Sequence, residues 1–336
     1  MAPIRIAVLG SGLFARDAHL PVLKSMPDQF EIVALYGRRA ENATALSETF
    51  DTPIPVYTDA DELFAREDID AVDVILPIPV QPAIVEAALR AGKHVISEKP
   101  IAPDVATGKQ LIETAGPMAE EKKLIWMVAE NLRFEEAYQA AGAAIQRGEI
   151  GLPLQFSWNV ASSLNTQNKY YHTSWRRDNS FPGGFLLDGG VHNIAAMRMI
   201  MGEVESVYAF VTQVRIDLPP TDTFSATLRF DSGAFGTLTL SFAAGEDWSS
   251  EINVVGDHGR LRVNPQELEV ITAARNSTHT YAVNTVREEL TDFARAIQYG
   301  GTFPDTPQQA LQDVAIIEAI LESARTGTAI KPARVV

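Results

Sequence analysis

The protein chain has 336 residues, of which 46% are hydrophobic and 21% charged, as expected for an ordinary globular protein long enough for two domains. Its net charge of -15 argues against binding nucleic acid through phosphates, and the absence of cysteine excludes disulfides, thiolate metal sites and a cysteine nucleophile. No apolar run reaches the ~18 residues of a membrane span and no signal-peptide pattern follows Met1, so we expect a cytoplasmic protein.

Residues 4–9 form a short apolar run of strand type, and a glycine-rich stretch follows at once. Its spacing is the G-x-G-x-x-A variant of the dinucleotide-binding fingerprint, in which the first glycine allows a tight turn and the second lets the backbone approach a pyrophosphate. A helix through residues 19–24 would direct its first N–H groups at those phosphates. The predicted cofactor-binding residues in this stretch are Gly10, Ser11, Gly12, Leu13 and Phe14, with the small Ala15 packing on the strand.

The second predicted strand, residues 31–36, ends where dinucleotide-binding folds select between cofactors. An acidic residue there would bind the ribose hydroxyls of NAD, but this chain has Gly37 followed by Arg38 and Arg39. A guanidinium binds a 2′-phosphate through two parallel hydrogen bonds, so Arg38 and Arg39 predict NADP(H) as the cofactor, with NAD(H) as the alternative. Without such a ligand, both arginines would be solvated loop residues.

Helices and strands alternate through the rest of the first third. In chain order the sequence predicts helix 40–50, strand 55–57, strand 71–76, helix 84–91, a helix through 112 capped by Asp104, and strand 124–128. The alternation predicts an α/β fold with a doubly wound parallel sheet, and we assign residues 1–128 to a dinucleotide-binding Rossmann domain. Pro77 breaks the chain at the carboxyl end of strand 71–76, where open α/β sheets bind ligands, and is a further predicted cofactor contact.

Lys99 stands between Glu98 and Pro100 at the end of the strand-like run 94–98. Proline fixes its own backbone and biases the preceding residue toward extended conformation, so Lys99 can hold its ammonium group at one place. Taken alone, the position of Lys99 fits an ordinary solvated loop lysine as well as it fits a functional one.

Four motifs together resemble a known family. They are the G-x-G-x-x-A loop, the lead-in Ala91-Gly92-Lys93-His94-Val95, the tripeptide Glu98-Lys99-Pro100, and the run Gly183-Gly184-Phe185-Leu186-Leu187-Asp188-Gly189-Gly190-Val191-His192. In this order and over essentially its whole length, the chain resembles the Gfo/Idh/MocA family of glucose–fructose oxidoreductase, inositol dehydrogenase and rhizopine-catabolism proteins. The resemblance implies that Lys99, Asp188 and His192 line the place where a nicotinamide meets a sugar or polyol, and that Glu98 and Lys99 contact the cofactor.

The chain departs from the family pattern in two places, a loop and a glycine-rich run. Members often have an asparagine and a histidine in the loop that matches Ile78 and Gln81, and this chain has neither. Phe185 interrupts the commoner run of three glycines, which narrows the freedom of that loop.

The second half of the chain carries a different pattern. After a stretch at 130–134 that resembles the family's opening of its second domain, the sequence predicts helix 135–147, strands at 153–160, 206–215, 224–230, 234–242, 251–255 and 260–263, and helices 286–299 and 307–326. Turn signals at 231–233 and 256–259 would join strands as hairpins. We therefore assign residues 129–336 to a substrate-binding and oligomerisation domain of α+β type with a large, mostly antiparallel open sheet. Helices would cover one face and commonly, in this family, another subunit the other, so we expect a homo-oligomer, dimer or tetramer.

Asp188 and His192 are four residues apart, which on a helix would place both side chains on one face. Oxidising an alcohol needs a base for the hydroxyl proton, and the ordinary pKa of histidine suits that task near neutral pH. A neighbouring carboxylate can orient the imidazole, and an ammonium at Lys99 can stabilise alkoxide charge. The alternatives are a structural hydrogen bond between the pair, or half of a metal site, which the absence of further histidines in ligand spacing disfavours, so we expect no metal.

The stretch 170–177 concentrates aromatic and polar residues between these motifs. Aromatic faces over sugar C–H groups, with donors at the rim, would form a carbohydrate wall. The predicted substrate contacts are Lys99, Tyr171, His172, Trp175, Arg176, Asp188 and His192, and His172 is also a weaker catalytic candidate. The alternative is a surface loop packed on its own aromatic rings.

The sequence thus predicts an NADP(H)-dependent oxidoreductase acting on a CH–OH or C=O group of a sugar, sugar derivative, polyol or related cyclic diol. Its partners would be this small-molecule substrate and copies of itself, without nucleic acid or membrane. Two rivals remain open at this point. One is a cofactor-bound regulatory protein without turnover, and the other is a redox-neutral NAD-dependent glycosidase of the same fold; a relay enzyme that retains its NADP is a variant of the main reading.

Overall fold

The computed structural model of the protein describes residues 2–177, 179 and 181–336. The chain divides into two compact units, the first comprising residues up to Glu130 together with Val286–Leu311, and the second comprising Asn131–Thr285 together with Gln312–Val336. The predicted boundary between residues 128 and 129 stays a prediction. It gave residues 286–311 to the second domain, whereas in the structure these residues pack with the first unit.

The first unit is built on a parallel sheet of six strands. These are β1 Ile4–Leu9, β2 Phe30–Tyr36, β3 Val56–Tyr57, β4 Ala71–Val74, β5 His94–Glu98 and β6 Trp126–Ala129. Their order is β3-β2-β1-β4-β5-β6 and every neighbouring pair is parallel, as predicted for a Rossmann domain. All four residues of β4 are buried, as strands that are covered on both faces require.

Helices connect these strands. They are α1 Leu20–Lys24, which continues a π-helical turn at Ala15–His19, then α2 Ala40–Ser47, α3 Ala60–Phe64, α4 Gln81–Arg90 and α5 Val105–Glu121. Asp104 caps α5 as predicted, because its carboxylate accepts a hydrogen bond of 2.7 Å from the N–H of Thr107. The helix continues past its predicted end at residue 112, since the buried stripe extends through Ala115 to Ala119.

The second unit is built on a nine-stranded sheet. Its strands are β7 Pro153–Ser163, β8 Val204–Thr212, β9 Thr223–Phe230, β10 Phe235–Ser241, β11 Ala243–Ser249, β12 Ile252–Gly256, β13 Gly259–Asn264, β14 Glu267–Thr272 and β15 Asn276–Thr280. Their order is β15-β14-β13-β12-β7-β10-β9-β8, and β11 pairs with β7 off this path. Only the β7–β10 pair among these is parallel, so the sheet is mostly antiparallel, as predicted. Both predicted turns, at 231–233 and 256–259, join antiparallel neighbours.

The remaining helices are α6 Glu136–Gln146, α7 Gly184–Asp188, α8 Gly190–Met201, α9 Thr285–Tyr299 and α10 Pro307–Thr326, with short 3-10 turns at Asn131–Phe134, Lys169–His172 and Ser174–Arg176. The helices α6 and α8 approach so closely at Gly142 that a Cβ on this residue would lie only 2.4 Å from the carbonyl oxygen of Met199. The absence of a side chain at Gly142 permits this approach. Arg133 and Arg198 both pair with the buried carboxylate of Asp313, at 2.5 and 2.6 Å, which ties a 3-10 turn, α8 and α10 together. Over the described part of the chain, no helix has the length and apolar character to cross a membrane.

Candidate active site

Several predicted cofactor contacts follow neighbouring parallel strands of the first unit. Gly10 follows β1, Arg38 and Arg39 lie just past β2, Pro77 lies just past β4, and Lys99 follows β5. Because β2, β1, β4 and β5 are neighbours in that order, these residues share the carboxyl edge of the sheet. The strand order reverses between β1 and β4, and that switch point is where open α/β sheets hold their ligands.

The glycine loop has the local geometry that a dinucleotide needs. Gly10 adopts φ +133°, and a Cβ there would lie 2.1 Å from the carbonyl oxygen of Ile75, so only glycine fits. At Gly12 a Cβ would meet no atom within 4 Å, so the exposed backbone of that residue is open to a phosphate group. Ala15 is buried, as its position in the motif requires. This chain therefore fits the pyrophosphate of a dinucleotide at residues 10–14.

The end of β2 lies against the same loop. A Cβ on Gly37 would come within 2.9 Å of the Ser11 hydroxyl oxygen, so the glycine permits this close approach. Arg38 and Arg39 are both exposed, and neither forms an ion pair within the described residues. Their guanidinium groups are thus available for a ligand beside the glycine loop.

Lys99 is half-buried, while its neighbours Glu98 and Pro100 are buried. The peptide bond between Lys99 and Pro100 is cis. The carboxylate of Glu98 turns inward, where its Oε1 lies 3.1 Å from Nε2 of His19. Of the tripeptide, Lys99 is therefore the residue whose side chain reaches solvent.

A buried cluster behind this tripeptide was not predicted from the sequence. His19 is wholly buried, and its Nδ1 lies 2.8 Å from the Asp73 carboxylate, while Glu289 approaches its Nε2 at 4.0 Å. Burial alone would lower the pKa of His19, but the carboxylates of Asp73 and Glu98 outweigh it and raise this pKa well above its ordinary value. Burial raises the pKa of Glu289, also well above its ordinary value. The signal in the sequence was Asp73, a charged residue inside the apolar run 71–76, which must find a partner when that strand is covered.

The catalytic pair predicted in the second unit is arranged differently from the expectation. Asp188 is the last residue of α7 and His192 lies in the first turn of α8, with Gly189 between the two helices, so one continuous helix is not formed. Gly189 itself lies against the Phe242 ring, since a Cβ on it would come within 2.4 Å of that ring. Asp188 is buried and His192 half-buried.

Asp188 has a strong partner that was predicted only as a substrate contact. The Nε of Arg176 donates a hydrogen bond of 2.6 Å to Oδ2 of Asp188, and both side chains are mostly buried. The guanidinium also lies over the ring of Trp175, at 4.2 Å from its centroid. Arg176 thus orients the predicted catalytic carboxylate.

Several side chains of the predicted carbohydrate wall form hydrogen bonds to other groups of the protein. The Tyr171 hydroxyl donates to Asp217 at 2.7 Å, and Arg215 pairs with the same carboxylate at 2.5 Å. One ring nitrogen of His172, Nε2, lies 2.9 Å from the carbonyl oxygen of Thr166. Phe185, which replaces a glycine of the commoner motif, is buried and packs in a cluster with Tyr171. This stretch is therefore largely a self-packed loop, in which Arg176 lies over the ring of Trp175 and Arg177 over the ring of Tyr171.

Two family models match the chain. The Oxidoreductase family, NAD-binding Rossmann fold, matches residues 4–129, and the Oxidoreductase family, C-terminal alpha/beta domain, matches residues 143–332. The chain belongs to the Gfo/Idh/MocA oxidoreductase family. By this membership it is an NAD(P)-dependent dehydrogenase with an NAD-binding Rossmann domain.

Relatives match this Gfo/Idh/MocA protein over nearly its full length. A "Dehydrogenase FPY6" of Fusarium mangiferae is 34% identical over 341 residues, covering 96% of each chain. A "D-xylose 1-dehydrogenase (NADP(+)) 2" of Haloferax volcanii is 28% identical over 337 residues, covering 96% of this chain and 98% of the relative. Among solved structures, an oxidoreductase from Thermotoga maritima superposes with a TM-score of 0.89 at 33% identity, covering 98% of both chains.

The two positions that depart from the family's usual loop both turn inward. Ile78 is buried, and Gln81 is buried at the first position of α4. Within residues 2–177, 179 and 181–336, no group of three or more His, Cys, Asp or Glu side chains has the arrangement of a metal site.

Proposed function

We propose that the protein is an NADP(H)-dependent enzyme that transfers a hydride between the nicotinamide and a CH–OH or C=O group of a sugar, sugar derivative, polyol or related cyclic diol. The observation that carries this proposal is the shared edge in the first unit, where Lys99 follows β5 and the glycine loop follows β1. The similarity to a relative named D-xylose 1-dehydrogenase (NADP(+)) 2 supports the carbohydrate class.

The preference for NADP(H) rests on the residues after β2. No acidic residue follows Gly37 at once, and the exposed Arg38 and Arg39 offer planar donors suited to a 2′-phosphate. The remaining cofactor contacts would come from residues 10–14, Pro77 and Lys99, and from the main chain of Glu98, because the carboxylate of Glu98 faces His19. When bound, the nicotinamide accepts or returns the hydride.

Each proposed catalytic residue supplies one function. His192 acts as the general base that removes the hydroxyl proton during oxidation and as the acid that returns it during reduction. Lys99 donates a hydrogen bond to the substrate oxygen and stabilises alkoxide charge on it. Asp188, fixed by Arg176, orients the acid–base group. Ring faces of Tyr171 and Trp175, with donors from Arg176 and His172, would contact the sugar.

Two further properties belong to the same proposal. The outward face of the second unit's sheet carries exposed aromatic residues, which supports a homo-oligomer formed through this sheet. We also propose a cytoplasmic location, where NADP(H) is available.

The first experiment compares NADPH and NADH binding to the purified protein by fluorescence. An absorbance screen at the nicotinamide band against aldoses, ketoses and polyols follows. Tighter NADPH binding and turnover of any of these compounds support the proposal. If NADPH binds and nothing turns over, the regulatory or redox-neutral alternatives replace it.

The Lys99→Ala variant tests the role of the lysine. We expect kcat to fall by about 10² to 10⁴, the usual contribution of a positioned acid–base or electrostatic group, while NADPH affinity stays nearly unchanged. Lys109→Ala is the matched control, because Lys109 is exposed on α5 of the same unit. Loss of NADPH binding in Lys99→Ala would show that Lys99 serves mainly to bind the cofactor and would contradict its catalytic role.

A further inference from the structure

The side chain of Gln81 holds the backbone on both sides of Lys99. Its Nε2 donates a hydrogen bond to the carbonyl oxygen of Glu98 and another, of 3.1 Å, to the carbonyl oxygen of Pro100. A carboxamide carries two N–H groups, so one amide can serve both carbonyls. Gln81 is only 1% exposed, which protects these bonds from water.

The Glu98 side chain is held from a second direction. His19 contacts Glu98 through Nε2 at 3.1 Å and Asp73 through Nδ1 at 2.8 Å. With its raised pKa, the imidazole keeps both N–H groups, so it donates to both carboxylates at once. The residue before Lys99 is therefore fixed through its carbonyl by α4 and through its carboxylate by His19.

The Gln81 amide is kept at an energetic cost. Its Oε1 is buried and has no hydrogen-bond partner among the described residues. An unsatisfied buried polar atom destabilises the fold, and an apolar residue of similar length at this place would avoid that cost. The presence of an amide at this position is therefore better explained by the hydrogen bonds that it donates to the two carbonyl groups than by packing between α4 and β5.

We propose that Gln81 is a positioning residue that fixes the Glu98–Lys99–Pro100 backbone and thereby aims the Lys99 ammonium at the reacting oxygen. The inference rests on the catalytic role of Lys99 given above. It also gives a function to a position at which this chain departs from the family's usual histidine. An imidazole can supply one N–H in its neutral form, whereas the carboxamide supplies two.

The test replaces Gln81 with Met, which has similar length and no donor. A misplacement of about 1 Å can cost about 10² in rate, so we expect kcat to fall by about 10- to 100-fold while KM and the Kd of NADPH change less than about threefold. Gln81→His, which restores one donor, should recover part of this loss. Gln110→Met on the exposed face of α5 is the control and should match the wild type.

Amide hydrogen exchange followed by mass spectrometry tests, independently of turnover, whether the hydrogen bonds of Gln81 hold the backbone at residues 98–100. Gln81→Met should speed exchange in peptides that cover residues 98–102, and peptides of the second unit should not change. Turnover is measured with NADP+ and whichever sugar or polyol of the panel reacts fastest. A kcat of Gln81→Met equal to that of the wild type, where Lys99→Ala is inactive, would overturn the proposal, as would unchanged exchange at residues 98–102.

The two proposals fail in different ways. If Lys99→Ala keeps its turnover, or if the wild type turns over none of the panel, the proposed function is wrong, and hydrogen exchange still decides whether Gln81 clamps this backbone. If Lys99→Ala is inactive and Gln81→Met loses kcat and thermal stability together with no recovery in Gln81→His, Gln81 serves folding only and the positioning role is refuted.

Discussion

Arg38 and Arg39 lie exposed directly after β2, beside the loop that would hold the pyrophosphate. A guanidinium that contacts the 2′-phosphate distinguishes NADP(H) from NAD(H), because NAD(H) has a hydroxyl at that position. Hydrogen bonds to charged groups contribute about 1.5–3 kcal/mol each, which corresponds to a factor of about 10 to 10² in affinity.

We therefore expect Arg38→Ala to weaken NADPH binding by about tenfold or more and to leave NADH binding within about twofold. Fluorescence titration with both nucleotides measures this. Arg90→Ala is the control, since Arg90 ends α4, which leads to the start of β5 and so to the opposite edge of the sheet. An equal loss for both nucleotides would remove the argument for the 2′-phosphate.

At single residues, the sequence was informative where a motif needs one residue type at one place. Gly10 could be assigned in advance because a strand-to-helix turn beside a phosphate excludes side chains, and the structure shows the close contact with Ile75 that excludes them here. His19 could not, because its partners lie 54 and 79 residues away along the chain. Such contacts depend on how the strands order in the sheet, which no local pattern encodes.

At the scale of elements, Glu135 shows that the start of a helix can bury a carboxyl group whose ionised form is unfavourable there. It precedes α6 and is buried, and burial raises the pKa of its carboxyl to about 7. A folded-state pKa above the unfolded value means that the folded protein binds the proton more tightly. The stability from this group is therefore complete below the ordinary glutamate pKa and is lost as the pH rises through about 7.

Glu135→Gln should remove this loss. We expect the variant to be more stable than the wild type by roughly 1–3 kcal/mol at pH 8 and equally stable at pH 4.5. Urea denaturation of both proteins at the two pH values measures the difference. The neighbouring Glu136 is exposed, so Glu136→Gln should have no such pH-dependent effect. A stability difference that does not vary with pH would show that Glu135 is not protonated by burial.

The sequence predicted helices and strands best where their apolar residues recur at regular spacing, and it predicted exposed strands poorly. α10 begins at Pro307 and ends at Thr326, as predicted. The strands β11 and β15 were not predicted, because nearly all of their residues are exposed and polar or small, and their pairing with β7 and β14 comes from the sheet rather than from their own pattern. The strand β14 was also missed, although its burial alternates.

At the scale of the whole chain, the sequence could not assign residues 286–311. Their helical periodicity was clear, but the unit that buries them is decided by single contacts, such as Glu289 near His19 and the Asp305 carbonyl on the N–H of Val128. Residues 286–311 belong to the first unit although they follow residues 131–285 of the second unit along the chain. Such a return depends on the topology of the whole fold, not on a local sequence pattern.

The open sheet of the second unit leads to the last prediction. The residues Tyr208 and Phe210 of β8 and Phe235 of β10 lie on one face, since their strands pair in register through β9 and the alternate residues are buried. Phe210 is 71% exposed and Phe235 is 59% exposed. Exposed aromatic patches of this kind mark protein interfaces, and aromatic residues are enriched in them. A second copy of the chain would cover this face.

We therefore expect light scattering after size exclusion to give a mass of at least twice 36.6 kDa for the wild type. The double variant Phe210→Asp with Phe235→Asp should shift it toward the monomer, because two buried charges without partners cost several kcal/mol. Tyr299→Asp places the same charge at a residue that is 73% exposed in the first unit, and it should leave the mass unchanged. A monomeric wild type at micromolar concentration would contradict the prediction, and an oligomer that survives the double variant would place the interface on another surface.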